Sequence, residues 1–202
     1  VNKASLGLVA TMFNRLLAQD CPFEMLVHLN SGMLTALSKP DGGVRPIVTG
    51  DAFLRLLAKT VVMKEQRDIA ARLEPMQVGV GMPGGAEFIV HSTRQLLHTN
   101  RDWIALTIDC SNAYGTVLRA AIQQQLGKLP SSLTSLTTAY FEAFAAPCLT
   151  INTRADGVSF DMSEGVLQGD PLSPLLFSLA LHEPLKTAEK ALGSQGMVFA
   201  YL

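Results

Sequence analysis

Ile104-Ala105-Leu106-Thr107-Ile108-Asp109-Cys110-Ser111-Asn112-Ala113-Tyr114 decides how this chain is read. Ile104, Leu106 and Ile108 alternate with Ala105, Thr107 and Asp109, and a period of two predicts a strand. The strand ends on a carboxylate and turns through Ser111-Asn112 into a helix-forming run. A carboxylate at the mouth of a buried strand is a hard oxygen ligand suited to Mg²⁺. Tyr114, five residues on, brings an aromatic ring to the same mouth. An Asp or Ser between strand and helix is also a common N-cap, so the neighbouring sequence has to decide.

Outward from this stretch, the chain has 202 residues, enough for a sizeable core and two subdomains. Hydrophobic residues make up 48%, which excludes a disordered chain. No apolar run is long enough to predict a membrane span, and no signal peptide is visible. Cys21, Cys110 and Cys148 show neither zinc spacing nor a disulfide framework, which predicts a reducing, intracellular setting. The net charge of −1 argues against nucleic-acid binding as an average, but the charge is unevenly spread. Residues 39–72 hold seven basic against four acidic side chains; residues 155–202 hold two against six. That asymmetry suits a protein that grips phosphates in one half and metal ions in the other.

Leu6, Val9, Met12, Phe13, Leu16 and Leu17 predict an amphipathic helix, followed by a short one around Leu26 and Leu29 in which His28 is structural. Residues 33–38 and 44–48 read as strands joined by Lys39-Pro40-Asp41-Gly42-Gly43, and Asp-Gly is a strong hairpin signal. The hairpin presents Lys39 and Arg45, which could clamp a polyphosphate or simply face water. Asp51 caps a long helix over 52–73 with Phe53, Leu56, Leu57, Thr60, Val61 and Ile69 inward, ended by Glu74-Pro75. Arg55 and Lys59 share one face of it, available to nucleic-acid backbone or to solvent.

Gly79, Gly81 and Gly84 match G-x-G-x-x-G, the dinucleotide fingerprint, and a strand and an acid follow downstream. The fingerprint needs a buried strand before the glycines, and here a helix leads in. Glycines that admit a nucleic-acid strand explain the loop equally well. Helices are predicted over 86–98, from Tyr114 to about Leu126, and over 133–144. Glu87 and His91 on the first of these lack a third ligand and read as a surface pair. A second hairpin over 148–162 turns at Asp156-Gly157. Then Gly165-Val166-Leu167-Gln168-Gly169-Asp170-Pro171-Leu172-Ser173-Pro174 feeds an apolar helix. Proline in a first turn is an ordinary helix start; Gln168-Gly169 beside it offers amide groups and close backbone approach to a base or sugar. Residues 197–202 read as a further strand.

In order, these segments resemble a reverse transcriptase, most closely the non-LTR (LINE-type) retrotransposon kind. The resemblance rests on Lys39–Ile47, Gln77–Gly81, Asp109–Tyr114, Gly165–Pro174 and Phe199–Leu202, and covers the chain from about Met33 onward. It implies an α+β fold: right-hand polymerase fingers over 1–103, with the N-terminal helices and the triphosphate-gripping hairpin, and an incomplete palm over 104–202. That palm would carry an antiparallel sheet and packed helices, with no thumb. It implies that Asp109 is a catalytic metal ligand, joined by the Cys110 backbone carbonyl. Tyr114 becomes the steric gate under the deoxyribose. Lys39 and Arg45 grip the triphosphate, Arg45 the more firmly, and Gln168 and Gly169 line the nascent base pair. Arg55, Lys59, Gln77, Gly79 and Gly81 are candidate nucleic-acid contacts.

The implied activity is RNA-directed DNA polymerisation with Mg²⁺ or Mn²⁺, an RNA template, a DNA primer and dNTP, in the nucleus of a eukaryotic host. The family's aromatic-x-Asp-Asp motif is met only as far as Tyr201-Leu202. The chain is therefore expected to be a fragment cut at both ends and inactive alone, because two-metal transfer needs carboxylates from both places. The alternatives are a group II intron-type reverse transcriptase, an RNA polymerase (disfavoured by Tyr114), a decayed or domesticated RNA-binding fragment, and a dinucleotide-binding oxidoreductase.

Overall fold

A computed structural model describes residues 2–29, 31–145, 150–153, 159–162 and 164–201. In chain order these form α1 (Lys3–Leu17), α2 (Phe23–Leu29), β1 (Gly32–Ser38), β2 (Val44–Gly50), α3 (Ala52–Lys64), α4 (Gln66–Leu73), α5 (Gly85–Thr99), α6 (Ala113–Thr116), α7 (Arg119–Leu126), α8 (Ser131–Ala145), β3 (Thr150–Thr153), β4 (Ser159–Asp161) and α9 (Ser173–Leu192), closed by a 3₁₀ turn at Gly193–Gln195. The result is helices around one small sheet of order β2-β1-β3-β4. β1–β2 and β3–β4 are antiparallel hairpins, and β1–β3 is parallel, with Gly32 opposite Ile151. The sheet is therefore mixed rather than antiparallel throughout. The turn expected at Asp156-Gly157 lies outside the described residues.

α9 is the hub. Leu175, Leu176, Phe177 and Leu179 in its first half are buried, and α4, α6 and α7 pack against it. Each such leucine removed from water contributes about 2 kcal/mol. α1, α2 and α3 pack on α8, which brings Leu16, Leu26, Leu57, Leu133 and Leu136 into the same core. The core draws on residues before and after position 104.

The helix expected over 52–73 is two helices broken at Glu65, where ψ is +11°. Leu57, Val61, Glu65, Ile69 and Leu73 lie four apart on one row, and Glu65 is its polar member. Its carboxylate accepts from the Ser132 hydroxyl (2.6 Å) at the start of α8 and pairs with Lys64 (3.3 Å). The Ser132 bond, ahead of Lys64, holds that carboxyl below its ordinary pKa. Leu57, Val61 and Ile69 are buried as expected, but Leu56 is 52% exposed and Thr60 faces solvent, because the inward row is centred one residue later and takes in Ala58. The Asp51 cap is present: its Oδ1 accepts from the Phe53 and Leu54 N–H groups at 2.8 and 3.3 Å.

Two expected strands do not form. Residues 103–110 lie outside any strand, and Ile104, Leu106 and Ile108 are 89%, 80% and 80% exposed. Among the described residues no segment offers these backbone groups a ladder, and a period-two pattern assigns faces without supplying a partner. Residues 197–201 form only one bridge, in which Ala200 N–H donates to Met76 (2.7 Å) and Val78 N–H to Ala200 (3.1 Å). The helix expected from Tyr114 to Leu126 is split into α6 and α7 by Val117-Leu118. No strand leads into the 79–84 glycines; α4 and a turn do, which removes the dinucleotide fingerprint.

Candidate active site

The β1–β2 hairpin is closed by its own turn chemistry. Gly42 takes φ +81°, Gly43 N–H donates to Asp41 Oδ1 (3.0 Å), and Lys39 N–H donates to the Gly43 carbonyl (2.7 Å). Arg45 sits opposite Leu37. Alternation places Arg45 on the face of Ile47 and opposite to the face of buried Val48. Lys39 is half-buried at the turn and Arg45 is exposed.

β2 is one of the sheet's two outer strands, and its outer edge meets the loop over 165–170. Val48 N–H donates to the Gln168 carbonyl at 2.8 Å. Gly169 follows at φ +115°, so close that a Cβ there would lie 2.8 Å from the Val48 oxygen and 3.2 Å from Ile47 Cγ2. Only glycine accommodates both that φ and that approach. The hairpin carrying Arg45 and the Gln168-Gly169 pair are thus in direct backbone contact.

The other end of the loop reaches Tyr114. Val166 N–H donates to the Tyr114 carbonyl (2.7 Å), and Gly165 (φ +72°) would place a Cβ 2.5 Å from that oxygen. The Tyr114 ring meets the Phe177 ring of α9 edge-on, with centroids 5.3 Å apart at 65°, and burial pushes its phenol pKa up. Val166 and Leu167 are buried between these ends. One loop therefore joins three of the expected nucleotide-contact elements.

Asp109 and Cys110 are exposed on the segment leading into α6. Asp109 is a lone exposed carboxylate; among the described residues no group of three His, Cys, Asp or Glu side chains could hold a metal ion. Glu87 and His91 are exposed on α5.

The nucleic-acid contacts expected upstream are placed differently. Gln77 is 1% exposed, and its amide donates to the Ser178 carbonyl (2.9 Å) and lies 3.2 Å from His182 Nδ1. It is a core residue and cannot meet a nucleic acid. Gly81 (φ +85°) presses on Ala70, where a Cβ would be 3.3 Å from the backbone nitrogen, and its carbonyl accepts from Gln66. Its close approach is to α4 rather than to a bound strand. Gly79 is half-buried. Lys59 is exposed, whereas Arg55, one turn earlier, is half-buried and faces Asp170. Asp170 is 7% exposed; burial pushes its carboxyl up, opposed by the Leu172 N–H bond (2.8 Å) and by the Arg55 charge.

The sequence reading passed over Arg119. Its Nε donates to the Gly165 carbonyl (2.9 Å), and its Nη2 to those of Met162 (3.0 Å) and Glu164 (3.2 Å). A signal was present: Arg119 opens α7, whose first turn holds no acid, and a cation at a helix N-terminus opposes the helix dipole.

Among curated proteins, the chain is 26% identical over 184 residues to the "Retrovirus-related Pol polyprotein from type-1 retrotransposable element R2" of Popillia japonica, covering 83% of this chain and 25% of that protein. It is 25% identical over 193 residues to the "Retrotransposable element SLACS 132 kDa protein" of Trypanosoma brucei gambiense, covering 90% and 15%. The chain thus spans a quarter or less of the length of these relatives, and both are proteins of retrotransposable elements, in agreement with the non-LTR resemblance. The family described as "Reverse transcriptase (RNA-dependent DNA polymerase)" matches residues 37–202, a span that takes in the hairpin turn, β2, Asp109, Tyr114 and the loop over 165–170, and the chain belongs to that family.

Proposed function

We propose that this chain is the nucleotide-selecting portion of an RNA-directed DNA polymerase of a retrotransposable element, which extends a DNA primer with dNTP on an RNA template. The observation that carries this reading is the loop over 165–170, whose ends bond to Val48 on the Arg45 strand and to Tyr114. The loop joins by backbone contacts the elements that carry three residue types matched to three parts of a nucleotide: a guanidinium for phosphate, an aromatic ring for the sugar, and an amide beside a glycine for the base.

In this reading residues 1–103 are fingers and 104–202 belong to the palm. Arg45 forms a charge-assisted fork on the triphosphate, with Lys39 as a second cation at the turn. The Tyr114 ring is held edge-on by Phe177, so its position is fixed before substrate arrives, and it excludes a 2′-hydroxyl. Gln168 and Gly169 present backbone and amide to the new base pair. Asp109 supplies one carboxylate toward divalent magnesium or manganese, which when bound stabilises charge at the attacking and leaving oxygens of nucleotidyl transfer. In a eukaryotic host the site of action is the nucleus.

The test is dNTP incorporation by the natural full-length protein on an RNA template with a DNA primer. Asp109→Ala should fall to background while leaving thermal stability within about 0.5 kcal/mol, as expected of an exposed side chain. Incorporation that survives Asp109→Ala overturns the assignment of Asp109. RNA binding with no incorporation by the unmutated protein would leave RNA binding as the function.

A further inference from the structure

We propose that Arg119 is a positioning residue for the nucleotide site, locking the loop over 165–170 as a strut between Tyr114 and the Arg45 strand. The inference rests on the reverse-transcriptase reading of those two residues and adds a residue with no assigned role. Three carbonyls within four residues, those of Met162, Glu164 and Gly165, converge on one guanidinium at 2.9–3.2 Å. Arginine suits this task because its donors are spread over a rigid planar fork; a lysine ammonium is a point charge on a flexible stem. Arg119 lies five residues beyond Tyr114, so one short segment grips the loop twice. The Tyr114 carbonyl receives Val166 N–H at 2.7 Å, and the Arg119 side chain takes three carbonyls just before that contact, the nearest being that of the adjacent Gly165.

The far end of the loop is fixed independently by Val48 N–H on the Gln168 carbonyl and by the close seat of Gly169 on Ile47 and Val48. Between the ends, Val166 and Leu167 are anchored in the core. The loop cannot shorten or slide without breaking one set of bonds. Arg119 therefore sets the separation between the ring that tests the sugar and the strand that holds the phosphates. It touches neither substrate nor reacting atoms. Its loss should damage nucleotide affinity and sugar choice more than turnover.

The experiment compares Arg119→Gln and Arg119→Lys with the unmutated full-length protein, reading KM for dNTP, kcat, the preference for dNTP over rNTP, and amide hydrogen exchange. In Arg119→Gln, KM should rise at least about tenfold, the effect of losing one or two charge-assisted bonds, with a smaller change in kcat and a reduced preference for dNTP. Arg119→Lys should fall between the two. The Val166 and Val48 amides should exchange at least about tenfold faster, with core amides of α9 unchanged. Unaltered KM and sugar preference, or a fall in kcat alone, overturns the proposal. If the unmutated protein incorporates no dNTP, the polymerase reading fails by itself, and exchange at Val48 still decides the strut: unchanged exchange there refutes it. If Arg119→Gln does not fold, the same comparisons are made with Arg119→Lys.

Discussion

Replacing Gly165 by alanine isolates the close contact between the loop and the Tyr114 turn. Two terms act. At φ +72° an L-residue loses about 1–2 kcal/mol for the left-handed conformation. The new methyl would also sit 2.5 Å from the Tyr114 oxygen and 2.6 Å from the Gly115 carbonyl carbon, and neither backbone atom can rotate away. Relieving that overlap separates the loop from the turn, which loses the Val166–Tyr114 bond (2.7 Å), about 1 kcal/mol, and adds roughly 1–3 kcal/mol of overpacking. The sum is roughly 3–6 kcal/mol, a large part of the ~5–15 kcal/mol that stabilises a typical domain. Gly42→Ala is the matched control: its φ is +81°, and a Cβ there meets nothing within 4 Å. Both variants lower the entropy of the unfolded chain alike, so their difference, about 2–4 kcal/mol, reports the overlap together with the bond lost in relieving it. Urea unfolding followed by far-UV circular dichroism measures it. Equal destabilisation of the two variants, within about 0.5 kcal/mol, would refute the packing argument.

Acidification should weaken the fold from the ordinary histidine range, about pH 6.5, downward. His182 is 3% exposed, and burial, reinforced by Lys186, Arg72 and Lys128 against Glu183, lowers its pKa. The unfolded chain then binds more protons than the folded one, so stability is lost as pH falls; His182→Gln should flatten that slope between pH values of about 7 and 5, and identical slopes would count against it. Asp51→Ala should cost about 1 kcal/mol and Asp51→Ser only part of that, read as a shift in urea midpoint; an unchanged midpoint would deny the cap. Gln77→Ala should cost about 2–4 kcal/mol by leaving a cavity and stranding its His182 partner, without changing RNA affinity per folded molecule. Weaker RNA binding by the folded variant would return Gln77 to the interface.

Local signals carried well from sequence to structure. The Asp41-Gly42 turn, the Asp51 cap and the stop at Glu74-Pro75 each depend on a few neighbouring residues, and each is present. Phase and partners carried less well. Leu56 and Leu57 are both apolar, and which one faces inward depends on α8, which packs on α3. Ile104, Leu106 and Ile108 alternate as a strand should, but the pattern holds no information about the neighbour a strand needs. For the site, residue types were legible and mutual placement was not. Gln168 lies far from Val48 in sequence, and nothing local in either shows that their backbones bond. Arg55 reads as a cation open to nucleic-acid backbone or solvent; in the fold it is half-buried and its charge acts on Asp170, more than a hundred residues away. Arg119 shows in the sequence only as a cation opening a helix against the dipole; its partners are carbonyls, which every sequence contains.

The order of strands in the sheet also bears on how the protein is made. β1 is joined on one side to β2 by a five-residue turn and on the other to β3, whose Ile151 pairs with Gly32. The first hairpin can close as soon as it leaves the ribosome. The inner edge of β1 must then wait for about a hundred further residues, roughly 5–20 s at ordinary rates of synthesis. Throughout that interval the nascent chain presents an open strand edge able to pair with any neighbour. Translation speed and chaperone supply between these two segments should therefore govern the yield of native protein more than the strength of the finished core.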